Sequence, residues 1–229
     1  MPFNIAYVVS RYFTSEMVAR TSMILDENPE NIQKALSGIV PIVVSGFVAM
    51  SKTGTTQSCE IYRIVRQVNE KEMYQSIENW NGEEVNLRKA DMPLPRLLLT
   101  ETLDCFIGVI AAFSGLTKKS ASVLFSLVSF ITAGNLSKYV VDSGMNESSL
   151  ASYLHSQRVN VLFMLPAGLS HISNLLQLNE RFKSSQPASD ANSYSNMVMR
   201  QMQRNRSFQL WIVCVTFLLL VAVFLILRR

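Results

Sequence analysis

The chain has 229 residues, of which 48% are hydrophobic and 17% charged, and its formal net charge is +4. This length suits one domain of medium size with appended segments, and part of the apolar excess is a single block near the end of the sequence. The cysteines Cys59, Cys105 and Cys214 are widely separated and form no CxxC pair, which argues against a disulfide framework or a zinc site.

The first segment is predicted to be an amphipathic helix. It reads MPFNIAYVVSRYF and lacks the basic segment, apolar run and small-residue cleavage site of a signal peptide. We therefore expect the body of the protein to stay in the cytoplasm. Thr14 is the predicted N-cap of the next helix, and Asn28-Pro29-Glu30 predicts a further helix start with an Asx cap, a proline at the first position and an acid in the first turn.

The helix that starts at Pro29 is predicted to lie in the core and to kink or break near Val40 and Pro41. Proline removes an amide and clashes with the preceding turn, and Gly38 reduces crowding one turn earlier. The apolar run from Ile39 to Met50 is too short to span a bilayer. One face of this helix carries the apolar positions Ile32, Leu36, Ile39, Val40, Val43 and Phe47.

The middle of the chain continues the helical pattern. Residues 55–80 show helical spacing and end at a turn signal after Trp80, and the prolines of residues 91–96 predict a connector between two halves. Thereafter one helix is predicted to stop at Ser114-Gly115, another to start after the Thr117 cap, and a third to start after Asn146. Pro166 is placed early in a last helix. Because strand-like alternation is nearly absent, the predicted fold class is all-α and multi-helical.

Two later segments differ from this helical body. Residues 184–196, SSQPASDANSYSN, have no hydrophobic period and predict a flexible tether. Residues 210–227, LWIVCVTFLLLVAVFLIL, are long and apolar enough to cross a bilayer as one helix. The sequence therefore predicts a domain at 1–183, a linker with a basic juxtamembrane segment at 184–206, and a transmembrane anchor at 207–229.

The anchor is predicted to hold the chain at the membrane in a single pass, with the N-terminal domain cytoplasmic. It contains no Asp, Glu, Lys, Arg or His between 210 and 227 and no GxxxG, so neither a proton path nor a close-packed helix dimer is indicated. The uncharged run Ser120–Ser137 contains several serines and is instead predicted to be buried in protein. Anchor positions are Leu210, Trp211, Phe217, Leu220, Phe224 and Leu227, and the flanking basic positions are Arg200, Arg204, Arg206, Arg228 and Arg229.

An internal duplication is also predicted. A shift of 88 residues lays positions 35–46 on positions 123–134, with Leu36, Val40 and Gly46 matched by identical residues and Gly46 falling on Gly134. Each copy follows a turn and a helix cap. The positions expected to break helices or to pack in the core are Gly38, Pro41, Gly46, Gly134, Pro166 and Gly168.

Three segments resemble the DUF937 (YidB-like) proteins of bacteria. They are residues 18–47, residues 113–140 and residues 150–169, and the most specific blocks read QKALSGIVP and LHSQ followed by LPAGL. The resemblance covers about residues 3–170 and implies an all-helical fold, and some family members, especially in Bacteroidetes, carry a membrane segment. It implies no activity and no catalytic residues. Residues 58–92 are charged and helix-forming where relatives often have a glycine-rich middle.

The sequence contains no recognisable catalytic motif, and no cofactor or small-molecule substrate is indicated. His155 and His171 read as surface or capping residues, and Glu101 and Asp104, three apart on a helix, read as a solvated face. A nucleic-acid-binding helix needs several basic or amide side chains on an exposed face, whereas Lys118, Lys119 and Lys138 flank an apolar centre.

The function predicted from sequence is a non-enzymatic scaffold or assembly module at the cytoplasmic face of the inner membrane. Its partners would be membrane lipid and either another protein or copies of itself. The alternatives are a membrane-tethered nucleic-acid-binding domain and an enzyme whose site is not recognised.

Overall fold

A computed structural model describes residues 4–51, 56–68, 70–83, 94–173 and 175. These residues form ten α-helices and two short 3-10 helices, and no strand occurs among them, so the predicted all-α fold is confirmed. The 3-10 helices are Thr100–Thr102 and Ala167–Ser173. The α-helices are α1 (Ile5–Ser10), α2 (Ser15–Leu25), α3 (Pro29–Met50), α4 (Thr56–Gln67), α5 (Glu70–Glu78), α6 (Leu94–Leu99), α7 (Leu103–Ser114), α8 (Lys118–Asp142), α9 (Glu147–Ser156) and α10 (Arg158–Met164).

The predicted helix starts coincide with side-chain caps. Thr14, Asn28, Thr117 and Asn146 each have extended backbone and a side chain that accepts a hydrogen bond from an amide of the first turn. The predicted stop at Gly115 is also confirmed, since this residue ends α7 with a left-handed φ of 84°. These boundaries were predictable because a helix cap depends only on residues that are neighbours in the sequence.

Helices α3 and α8 form the centre of the fold. They run for 22 and 25 residues, and both are long and apolar enough to cross a membrane by length and composition alone. In the structure, however, 78% of the apolar window of α3 and 94% of that of α8 are buried inside the protein. Their placement in the protein interior agrees with the sequence prediction. A helix that is apolar on every side needs such enclosure, which the other helices provide.

The two halves of the chain interleave around this central pair. Helix α1 packs on both α3 and α8, and α6 does the same. Helices α4 and α5 from the first half lie against α8 from the second, while α9 and α10 from the second half lie against α3 from the first. Each long helix is therefore covered partly by helices from the opposite half.

The helix break expected at Pro41 is not found, because α3 continues through Pro41 to Met50. An internal proline costs about 3 kcal/mol. Ile39, Ile42, Val43 and Val44 are 0% exposed. Burial of such side chains is worth about 1.5–3 kcal/mol each, so packing outweighs the cost of the proline.

Three other boundaries differ from the sequence prediction. The segment at 55–80 forms two helices, α4 and α5, and not one. Pro95 lies within α6, in the first turn, where the missing amide has no helical partner to lose. Pro166 is not inside a last α-helix: α10 ends at Met164, Leu165 is extended as a residue before proline prefers, and the 3-10 helix starts at Ala167.

Candidate functional site

Two of the predicted core glycines mark close approaches on α3. A Cβ added at Gly38 would lie 2.6 Å from the Cδ1 atoms of both Ile110 and Leu169, so this glycine lets α7 and the C-terminal 3-10 helix meet α3. At Gly46 an added Cβ would lie 3.1 Å from the Cβ of Leu98, which lies on α6. Both positions allow close packing between helices.

The glycines of the second half also lie at contacts. A Cβ on Gly134 would overlap the side chain of Met73 on α5, and one on Gly168 would lie 3.0 Å from Cε2 of Phe113. Gly46 and Gly134 were aligned by the 88-residue shift, yet they face different partners, α6 and α5. Both glycines allow a close approach, but the helix that approaches is a different one in each case.

The predicted anchor and juxtamembrane residues, from Arg200 to Arg229, lie outside the described residues. The linker prediction for residues 184–206 and the end of the 1–183 domain lie outside them as well.

The turns before the two long helices meet each other. The Glu27 carboxylate, before α3, accepts a hydrogen bond of 2.9 Å from the backbone N–H of Thr117, before α8. Desolvation raises the pKa of Glu27, but hydrogen bonds from Thr117 and Ser120 outweigh it and lower the pKa below its usual value. The carboxylate is thus ionised at the amino end of α8, where the helix dipole favours negative charge.

A second polar contact joins α4 to α9. The Ser58 hydroxyl donates to Glu147 Oε1 at 2.6 Å, and the Cys59 thiol donates to Glu147 Oε2 at 3.1 Å. The hydrogen bonds from Ser58 and Cys59 lower the pKa of Glu147, whereas the bond to Glu147 raises the pKa of the Cys59 thiol. Cys59 therefore keeps its proton and is poorly suited to act as a nucleophile.

Helix α8 carries buried polar side chains that bind other parts of the fold. Asn135 Oδ1 accepts a hydrogen bond of 3.1 Å from Tyr12, and its amide donates to the Ile131 carbonyl at 2.8 Å. The Ser137 hydroxyl donates to the Val68 carbonyl at 2.5 Å, where α4 ends. Ser129 differs, since its buried hydroxyl has no hydrogen-bond partner. These groups fix the position of α8 and form no open site.

The residues weighed for catalysis lie on the surface. His155 and His171 are both exposed, and so is Glu101. Asp104 is 79% exposed and lies 3.7 Å from Arg96. Within the described part of the chain, no group of three or more His, Cys, Asp or Glu side chains could hold a metal ion.

One small cleft lies beside the Arg96–Asp104 pair. It encloses about 90 Å³ and is lined by Pro95, Arg96, Leu103, Asp104, Ile107, Ser122 and Ser126. This volume is well below the roughly 300–1,000 Å³ typical of small-molecule sites.

The lysines near α8 do not form a surface that could contact nucleic-acid bases. Lys118 and Lys119 are exposed at its first turn, and Lys138 lies 3.9 Å from Asp142 near its other end. Between them the helix is buried, so it cannot enter a nucleic-acid groove while the body stays folded.

Sequence reasoning missed the Glu27–Thr117 and Ser58–Glu147 contacts. The partners are 90 and 89 residues apart in the chain. The turn before each long helix was recognised, but no local signal showed that the two turns meet. Searches for similar proteins found no matching protein-family model, no matching curated protein and no matching solved structure.

Proposed function

We propose that this protein is a non-enzymatic, membrane-anchored scaffold whose helical body lies at the cytoplasmic face of the bacterial inner membrane. The observation that carries the proposal is the burial of the two long apolar helices, α3 and α8, within the body. Their enclosure leaves residues 210–227 as the apolar stretch available for the lipid. The resemblance to DUF937 proteins supports the same setting and brings no activity with it.

We further propose that the body arose by internal duplication of a five-helix unit, with α1–α5 corresponding to α6–α10. The order of short and long helices is the same in both halves. Helices α6 and α8 begin 89 residues after α1 and α3, while α7 and α10 begin 88 residues after α2 and α5. Helix α9 begins 91 residues after α4. This spacing agrees with the 88-residue shift found in the sequence.

The packing of the halves supports the duplication as well. Helices α1 and α6 each contact both long helices, and α5 and α10 each contact the long helix of the opposite half. Ser58 on α4 is hydrogen-bonded to Glu147 on α9, so these corresponding helices of the two halves also contact each other. A contact between matching elements is expected beside an approximate two-fold axis.

A binding role agrees with how the polar groups of the body are used. The ionised carboxylates of Glu27 and Glu147 are held by donors of the opposite half. Asn135 and Ser137 connect helices to one another. Such a body can hold a protein partner, or copies of the same chain, beside the membrane.

The anchor is tested by placing charges in the apolar stretch. Phe217→Arg combined with Leu220→Arg should release the protein from membranes during alkaline extraction. Each arginine at the centre of a span costs about 2.5–3.5 kcal/mol. The matched control, Phe217→Leu with Leu220→Ile, should stay with the membrane. Equal extraction of the two variants would refute the anchor.

The scaffold role is tested by crosslinking in cells followed by purification through the helical body. A reproducible protein partner, or crosslinked copies of the chain, is expected from the wild type and not from the double-arginine variant. Detergent-solubilised protein that is monomeric at every concentration and crosslinks to nothing would contradict the proposal.

A further inference from the structure

Large apolar side chains are exposed on two helices that pack together. Phe163 and Val159, one turn apart on α10, are 86% and 56% exposed, and Tyr7 on the adjoining α1 is 57% exposed. The backbone N–H of Ile5 donates to Gln157 Oε1, which fixes α1 beside the start of α10. We name the exposed sides of these two helices the α1–α10 face.

The segments that form this face carry basic residues and no acidic ones. The sequence has no acidic residue in positions 1–15 or in positions 148–179, which include all of α1, all of α10 and the C-terminal 3-10 helix. Arg11 is exposed one turn after Tyr7 on α1, and Arg158 begins α10. Exposed aromatic and aliphatic side chains beside an exposed arginine, on segments without acidic residues, are typical of surfaces that bind anionic membranes.

The position of the face in the chain favours the membrane as its occupant. Leu175, which is 51% exposed, is the last described residue. Residues 176–209 then connect it to the apolar stretch at 210–227. The tether predicted at 184–196 has a reach on the order of 20 Å, which would keep the body close to the bilayer. A weak surface contact is effective at the high local concentration that such a tether creates.

We propose that the α1–α10 face docks on the anionic surface of the membrane and so orients the helical body on the bilayer. This inference rests on the proposed anchor. Phe163 and Val159 would enter the boundary between headgroups and acyl chains, and Arg11 would lie among the lipid phosphates. The opposite faces of the body would then be turned to the cytoplasm, free for a protein partner.

The test uses the full chain in vesicles, with an environment-sensitive fluorophore on one introduced cysteine. Cys59→Ser, Cys105→Ala and Cys214→Ala remove the native thiols. The probe is placed at Phe163→Cys or, as the matched control, at Met23→Cys, because Met23 is also highly exposed, at 77%, but lies on α2. Circular dichroism verifies that both variants keep their helical content.

In vesicles that contain phosphatidylglycerol, fluorescence at position 163 should rise several-fold and shift to shorter wavelength, while position 23 should not change. Vesicles of phosphatidylcholine alone, high salt, or Arg11→Glu should each reduce the signal at position 163.

Other outcomes separate this inference from the anchor on which it rests. Protein that floats with the vesicles while position 163 stays in water would overturn the docking face and leave the anchor intact. Protein that does not float would overturn both. A signal at position 163 that depends on protein concentration in detergent without vesicles would overturn the lipid assignment and identify a second copy as the occupant.

Discussion

Replacement of Gly38 by alanine tests how tightly the centre of the body is packed. Glycine inside a helix is less favourable than alanine by about 0.5–1 kcal/mol, so the substitution should stabilise α3 if nothing else changed. At Gly38, however, the new Cβ would lie 2.6 Å from two buried methyl groups, those of Ile110 and Leu169. Overpacking of this kind costs about 1–3 kcal/mol. The expected net effect is a destabilisation of roughly 1–2 kcal/mol.

Gly108 provides the matched control for this substitution. It lies within α7, and an added Cβ there would meet nothing within 4 Å. Gly108→Ala should therefore raise the free energy of unfolding by about 0.5–1 kcal/mol, which is the helix-propensity gain alone. The assay is chemical denaturation of the full chain in mild detergent, followed by circular dichroism.

The contact itself is tested by a double-mutant cycle with Ile110→Val. This change removes the methyl group that the new Cβ would strike and by itself costs about 0.5–1.5 kcal/mol. The two substitutions together should destabilise the protein by less than the sum of their separate effects. Gly38→Ala that is as stabilising as Gly108→Ala, with no coupling to Ile110, would refute the close approach of α3 and α7.

Three further predictions concern polar groups. Glu27→Gln should cost roughly 1 kcal/mol of stability at neutral pH, a value reduced for partial exposure. Because the folded-state pKa of Glu27 lies below its usual value, the difference from wild type should shrink in a pH series of denaturation curves as the pH falls through the folded-state pKa and the carboxylate is protonated. Ser129→Ala should leave stability unchanged or raise it, because the buried hydroxyl has no hydrogen-bond partner. Thr132→Ala should lower stability, because it removes a hydrogen bond of 2.7 Å to the Val128 carbonyl. Thermal melts in which Ser129→Ala is the less stable of the two variants would contradict this pair of predictions. Glu147→Gln should accelerate alkylation of Cys59 at mildly alkaline pH, because the carboxylate raises the pKa of the thiol, while Cys105 should react at its wild-type rate as measured by mass spectrometry.

Four of the helix starts could be predicted because their causes are local. Thr14, Asn28, Thr117 and Asn146 are polar cap residues placed directly before an apolar period, and each acts as a cap in the structure. The continuation of α3 through Pro41 could not be predicted in this way. It depends on the burial of α3 by helices from both halves, which the local sequence does not reveal.

The candidate contacts were beyond sequence reasoning for a related reason. In the sequence, Glu27 is an acidic residue in a turn and Glu147 is one in the first turn of a helix. Only the fold brings Thr117 to Glu27, and Ser58 and Cys59 to Glu147. In the sequence, the proposed duplication rests on a weak match around Gly46 and Gly134. The correspondence of helix order and the interleaving of the halves needed the structure.

A photoactivatable phospholipid tests how the apolar segments are divided between the lipid and the protein interior. The probe carries its reactive group on the acyl chain, and crosslinked peptides of the membrane-bound full chain are mapped by mass spectrometry. Crosslinks are expected within residues 207–229 and not within α3 or α8. Crosslinks from the acyl chains to Ser120–Ser137 or to Ile39–Met50 would contradict this division.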